Sequence, residues 1–282
     1  MLYQRILTAI PLAAFVIWII FFQPTAIFFY FLMFIVLVSA YEWARLSGVG
    51  NILLRSAFAI VITSSVWGIQ QYFSDYVTWV IYVSVMWWFS ITFYLKIARP
   101  KAASSELKLD KLFIAFVILP AAALAMQEIH SIHAGPNGQG GGQGPAWLFY
   151  ALALVWVADI GAYFSGKKFG KNKLAPHISP GKTKEGLIGA VVATSIYTLL
   201  ASYYFALNNE KAVLLVMLSV ILTFISVSGD LYISFLKREA GLKDSGSILP
   251  GHGGILDRID SVLAAMPVFL IGFNWWIYPG IL

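Results

Sequence analysis

Nine apolar runs, at approximately 5–22, 24–46, 52–72, 77–97, 112–130, 146–166, 185–207, 211–237 and 256–279, take up most of this chain. Each is about as long as the 20 or so residues that a helix needs to cross roughly 30 Å of hydrocarbon. Hydrophobic residues make up 60% of the 282 positions and charged residues 11%, against about 25% charged in soluble domains. The chain therefore reads as one polytopic, membrane-embedded body. The first run contains Pro11 and ends FFQPT rather than in a small-residue cleavage site, so a retained span is expected, not a cleaved leader.

The basic residues test the number of spans, because loops on the cytoplasmic side carry the excess of Lys and Arg. With nine spans, 18 of the 19 basic residues fall on one face and only Lys211 on the other. The expectation is thus an N-terminus in the cytoplasm and a C-terminus outside. Trp67, Tyr72, Trp79, Trp147, Tyr150, Trp275, Trp276 and Tyr278 are expected at the outer ends, as interfacial anchors. The net charge of +6 does not point to nucleic acid, since the basic residues punctuate apolar runs and form no aromatic-interleaved patch. Without cysteine, disulfides, thiolate metal sites and cysteine nucleophiles are excluded.

Three regions follow: scaffold spans over 1–133, a glycine-rich external linker over 134–145, and a region over 146–282 with four spans and two basic loops. The linker has no basic residue, so it is not a phosphate loop. In the first region Glu42, in YEWAR, is the only acid clearly inside a span, and snorkelling or pairing with Arg45 accounts for it.

Residues 234–260, SFLKREAGLKDSGSILPGHGGILDRID, concentrate Lys237, Arg238, Lys243 and Arg258, four acids, His252 and five glycines in 27 positions. Such a mixture beside a membrane is costly unless something polar binds there. Asp257 and Asp260 are three apart and share a face if the last helix has begun. Paired carboxylates suit Mg²⁺, which takes one or two of them together with substrate phosphates. Asp159 and Asp230 each stand seven residues before the inner end of a span, roughly 10 Å deep at 1.5 Å per residue. Intramembrane acids need a cavity, a cation or a partner. Gly161, Ser165, Gly166, Ser226, Ser228 and Gly229 beside them permit close helix packing and leave room for a ligand.

The loop GKKFGKNKLAPHISPGKTKEG ends like a P-loop, but Pro176 stands where the first glycine is required and no strand is expected before it. It reads as a basic segment that brings Lys182, Thr183 and Lys184 to a helix N-terminus, a ready anion site. Aspartates ringed by lysines and arginines at a membrane face equip a chain for phosphoryl or nucleotidyl transfer between a soluble phosphate compound and a lipid.

The pattern Ser234-x-x-Lys237-Arg238, Lys243-Asp244, then Pro250-x-His252-Gly253-Gly254-x-x-Asp257-Arg258-x-Asp260 resembles the motif of the phosphatidate cytidylyltransferases. ISPGKTKEG at 178–186 and FGK at 169–171 are similar to a second element of that family. The resemblance is specific over roughly 156–260. It implies an all-α fold, CTP and phosphatidate as substrates, Mg²⁺ as cofactor with K⁺ as a further cation, and homodimers. It also implies a bacterial inner (plasma) membrane with the active site facing the cytoplasm. Under it, Asp230 and Asp257 are expected to hold the metal, with Asp260 as third ligand or behind them. Lys237, Arg238, Lys243 and Arg258 would neutralise the triphosphate, and His252 completes the catalytic set. Ser179, Lys182, Thr183, Lys184, Ser234, Gly253 and Gly254 would bind substrate, and Asp159 would hold the monovalent cation or orient a basic residue. Rivals are a CTP-dependent lipid-alcohol kinase, which would yield CDP, and an ion-coupled transporter using Asp159 and Asp230. A CDP-alcohol phosphotransferase would need a D-G-x-x-A-R element, which the chain lacks.

Overall fold

The structure, a computed structural model, describes residues 2–101, 106–132, 143–248 and 253–279, with the first helix's side chains from residue 10 onward. The helices among these residues are α1 (Leu2–Phe22), α2 (Thr25–Leu46), α3 (Ile52–Tyr72), α4 (Val77–Tyr94), α5 (Leu109–Ser131), α6 (Gly144–Phe169), α7 (Lys184–Tyr204), α8 (Asn209–Glu239) and α9 (Leu256–Gly272). Seven of them, α2 to α8, are long and apolar enough to cross a membrane, α4 together with the 3₁₀ turn before it. In α1 the described side chains cover an apolar stretch of 13 residues, Ile10–Phe22, and α9 has 17 residues.

Side-chain caps mark several helix starts. Asn51 accepts the backbone N–H groups of Leu53 and Leu54, Thr183 accepts that of Gly186, and Asn208 that of Lys211. Each satisfies a donor that the first turn would otherwise leave open. The expectation of helices alone needs one correction. Between α6 and α7 lie two antiparallel strands, β1 (Lys173–Ala175) and β2 (Ser179–Thr183), paired Lys173 with Thr183 and Ala175 with Ser179. PGKT lies within β2 rather than in a loop after a strand, so the exclusion of a P-loop rests on Pro176. Most of the linker drawn at 134–145 lies outside the described residues, and α6 already begins at Gly144.

The shortest helix is the most enclosed. Residues 261–271 of α9 are all buried, and the helix packs against α8, α5, α4, α6 and α2. A helix apolar all round belongs in the middle of a bundle. Its contact with α8 is set at Gly229, where an added Cβ would collide with the backbone carbonyl of Asp260 and press on Ala264 and Ser261. That absence of a side chain brings Asp230 on α8 up to Asp260 on α9. Small residues do the same for α6 and α7, where Gly161 and Gly189 allow Ser165 and Ala193 to interlock.

The basic loops gather at one end of the bundle. Lys108 donates its N–H to Ser47, Lys101 its N–H to Glu239, and Arg45 its guanidinium to the Ser245 carbonyl, joining the loops after α2, α4 and α8. Beneath them Lys108 and Lys111 pair with Glu239. At the opposite end Lys211 lies 4.2 Å from the ring centroid of Tyr278. Trp67, Tyr72, Trp79 and Trp275 are exposed, as anchors should be. Trp147 and Tyr150 are not: they are buried, and Trp147 stacks on Phe205 at 3.6 Å between centroids.

Gly229→Ala is expected to cost about 1–3 kcal/mol by forcing α8 from α9. Gly181→Ala, whose methyl meets nothing within 4 Å, should stay within about 0.5 kcal/mol. Thermal unfolding in detergent measures both.

Candidate active site

Four segments converge at the basic end: the end of α6, β2 with the start of α7, the last turns of α8, and residues 240–248 and 253–255 with the start of α9. Helix α8 has 31 residues and is about 46 Å long, well beyond what a bilayer requires. It therefore carries Asp230, Ser234, Lys237 and Arg238 along one continuous rod.

Asp230 is paired with Lys182 at 2.5 Å and accepts the Ser234 hydroxyl at 3.2 Å. Lys182 reaches it because β2 runs back toward α8. The hairpin is held in place from several sides. Arg238 Nε donates to the Ile178 carbonyl, Lys184 N–H to the Asn172 carbonyl, and the Glu185 carboxylate accepts the N–H groups of Lys171 and Asn172. Thr183 is buried as the cap of α7, whereas Lys184 is exposed and Ser179 half-buried.

Asp257 has a different environment. Its Oδ1 is 2.7 Å from Lys237 Nζ, and its Oδ2 accepts the N–H of Ser245 at 2.8 Å, that of Gly254 at 3.1 Å and contacts the Ser245 hydroxyl at 3.0 Å. The carboxylate thus ties both ends of the 245–254 loop to the first turn of α9. Gly253 adopts φ +82° there, and a Cβ would stand 2.9 Å from Asp257 Oδ2. Only glycine meets both demands comfortably.

Asp260 is half-buried, and its Oδ1 accepts the N–H of Ser261 at 2.7 Å. It lies within electrostatic reach of Asp230, Lys182 and Lys237. Asp159 on α6 is exposed on the helix surface and feels Lys182, Asp230 and Arg258. The structure thus brings Asp159, Lys182, Asp230, Asp260 and Arg258 into one electrostatic neighbourhood, with Lys237 and Asp257 beside it. Among the described residues no three His, Cys, Asp or Glu form a group able to hold a metal ion. Asp230 and Asp260 share one field, while Asp257 is engaged by Lys237 and the loop. Lys243 and Asp244 are exposed, and His252 lies outside the described residues.

Sequence reasoning missed Glu42. It does not snorkel: it is 2% exposed, and its carboxylate accepts the N–H of Ile255 at 3.2 Å, the N–H of Leu256 at 2.9 Å and the Ser245 hydroxyl at 2.8 Å. The signal was present, since an acid inside a span calls for a partner. The partner itself is 213 residues away in the chain at Ile255.

Asp257→Asn places an amide N–H₂ against either Lys237 or the donors of the loop. Limited proteolysis of the detergent-purified variant should cut within 243–248 faster than in the parent, whereas Asp260→Asn should leave the cutting rate there unchanged.

A family model described as "Cytidylyltransferase family" matches residues 3–276. The chain is 36% identical over 275 residues to a phosphatidate cytidylyltransferase of Pseudomonas aeruginosa, covering 95% of this chain and 96% of that protein. It is 34% identical over 287 residues to one of Haemophilus influenzae, covering 95% and 97%. A third, from Bacillus subtilis, is 48% identical over 127 residues, covering 44% and 46%.

Proposed function

Because the chain belongs to the cytidylyltransferase family, we propose that it joins CTP to phosphatidate, giving CDP-diacylglycerol and pyrophosphate. The observation that carries this reading is the juxtaposition of Lys182–Asp230 with Lys237–Asp257 and Asp260 at the basic end of an apolar bundle. A charged phosphate ester and a soluble triphosphate can meet there, one from the bilayer and one from water.

In the reaction a phosphatidate oxygen forms a bond to the α-phosphorus of CTP while the bond to the β-phosphate bridging oxygen breaks. The nucleophile is already anionic, so the protein's task is placement and charge neutralisation. Lys182 and Lys237 are held by carboxylates at 2.5 and 2.7 Å and can turn toward phosphate oxygens without crossing the site. Arg258, exposed beside them, adds a third cation. Arg238 is tethered to Ile178 and braces the hairpin that carries Lys182.

The donor set suits a divalent cation. Asp230 and Asp260 are like charges within reach of one another, and Mg²⁺ takes one or two carboxylates and completes its shell with phosphate oxygens and water. When bound, the ion would supply charge neutralisation for the triphosphate. On this reading Asp230 and Asp260, rather than Asp257, would hold the metal, with Asp257 ordering the loop ends at Ser245 and Gly254 and Asp159 available to a monovalent cation such as K⁺. We further assign nine spans with the N-terminus cytoplasmic and the C-terminus external, in a bacterial inner membrane, with the active site on the cytoplasmic face and a homodimer as the assembly. The one-sided distribution of Lys and Arg supports the orientation.

Purified protein given CTP, phosphatidate and Mg²⁺ should release pyrophosphate only when both substrates are present. Asp260→Asn should lower turnover on the order of 10²-fold or more with little loss of thermal stability. CDP appearing in place of pyrophosphate would overturn the reading in favour of a kinase.

A further inference from the structure

The α2 carboxylate at Glu42 belongs to the region read as scaffold, yet it accepts hydrogen bonds from Ser245, Ile255 and Leu256, more than 200 residues on. It accepts the N–H groups of Ile255 and Leu256, two of the four donors that the N-terminus of α9 cannot satisfy internally. Residue 255, in the N-cap position, is isoleucine, which has no side-chain acceptor. Glu42 therefore acts as a cap supplied from another helix, with its carboxyl oxygens set at the positive end of the α9 dipole.

The pocket around it is shaped for a carboxylate. An added Cβ on Gly246 would strike Glu42 Oε1, and one on Gly254 would strike Glu42 Oε2 and the Ser245 hydroxyl. Three residues on, Arg45 donates to the Ser245 carbonyl at 3.3 Å. One turn of α2 thus holds the loop by its donors with an acid and by an acceptor with a base. Ser245 Oγ stands 2.8 Å from Glu42 Oε2 and 3.0 Å from Asp257 Oδ2, and its single proton serves one of them at a time. The path from Glu42 to Asp257 is one hydroxyl long. Asp260 lies one turn further along α9.

We propose that Glu42 is a positioning residue that fixes the start of α9, and with it Asp257 and Asp260, for nucleotidyl transfer. The catalytic half of the proposal rests on the function assigned above. A mere contribution to stability would be shared with other buried contacts of α2, such as the Trp43 Nε1 bond to the Lys111 carbonyl at 2.9 Å. A positioning role is local to α9. Glu42→Gln keeps the shape but turns one acceptor into a donor facing N–H groups.

Hydrogen exchange followed by mass spectrometry, on full-length protein in detergent, separates these cases without reference to turnover. In Glu42→Gln, peptides covering 253–260 should exchange at least tenfold faster, with α5 and α6 unchanged. Trp43→Phe should lower the melting temperature and leave those peptides protected. In parallel, kcat for pyrophosphate release should fall on the order of 10²-fold in Glu42→Gln, the scale of a 1 Å misplacement, with KM for CTP within about threefold of the parent. Ser245→Ala, which removes the bridge and keeps the cap, should fall between the two. Uniform acceleration of exchange, or protection equal to the parent, would overturn the positioning role. Local acceleration with no pyrophosphate released even by the parent protein would instead count against the assigned reaction and leave the cap standing.

Discussion

A carboxylate placed against a bilayer has to meet a cation, a hydrogen-bond donor or a water-filled space, and much of the basic end of this fold follows from that requirement. Asp230 meets Lys182, Asp257 meets Lys237, and Glu239 meets Lys108 and Lys111. Each pair joins segments distant in sequence: β2 to α8, α8 to α9, and α5 to α8. Exposed ion pairs contribute little to stability, but an unpartnered charge in a partly buried site costs several kcal/mol. The pairs therefore select one arrangement of loops over others more than they add to the net stability of the bundle. Apolar packing around α9 supplies the rigid frame in which that selection operates.

How much of this is legible in the sequence depends on the range of the interaction. Apolar runs report helices locally, and the runs at 24–46, 52–72 and 185–207 agree closely with α2, α3 and α7. The hairpin before α7 escaped because β1 has three residues and β2 carries Pro180 and Gly181, so neither shows alternation. The buried pair Trp147 and Tyr150 was assigned to the membrane surface because composition marks aromatic rings as anchors without showing what packs on them. Phe205, which stacks on Trp147, belongs to the following helix end. Such pairings are decided by tertiary contact, to which a local pattern is blind.

The candidate site divides along the same line. The motif residues were identifiable, and Lys182 and Asp230 do come together. Their hydrogen-bond partners were not. From spacing alone Asp257 and Asp260 are equivalent, three apart in the first turn of α9. The structure separates them, because Asp257 faces a loop rich in N–H donors whereas Asp260 faces Asp230 across the seam opened at Gly229. A carboxylate already surrounded by donors gains little from a metal. One beside a like charge gains most, since the cation removes a repulsion as well as forming bonds.

That asymmetry also explains why lysines are the resting partners of these acids. In the proposed reaction the same groups would receive a triphosphate and a cation. Lys182 and Lys237 neutralise Asp230 and Asp257, and each is half-buried, so neither charge is fully stripped of water. Under that proposal the same ammonium groups would turn to the phosphate oxygens over a short arc, and Asp230 would be open to a divalent ion. The exchange keeps the count of opposite charges nearly constant. It requires the backbone beneath to stay still, and the elements that hold it are the tether from Arg238 to Ile178 on one side and the grip of Glu42 on the start of α9 on the other.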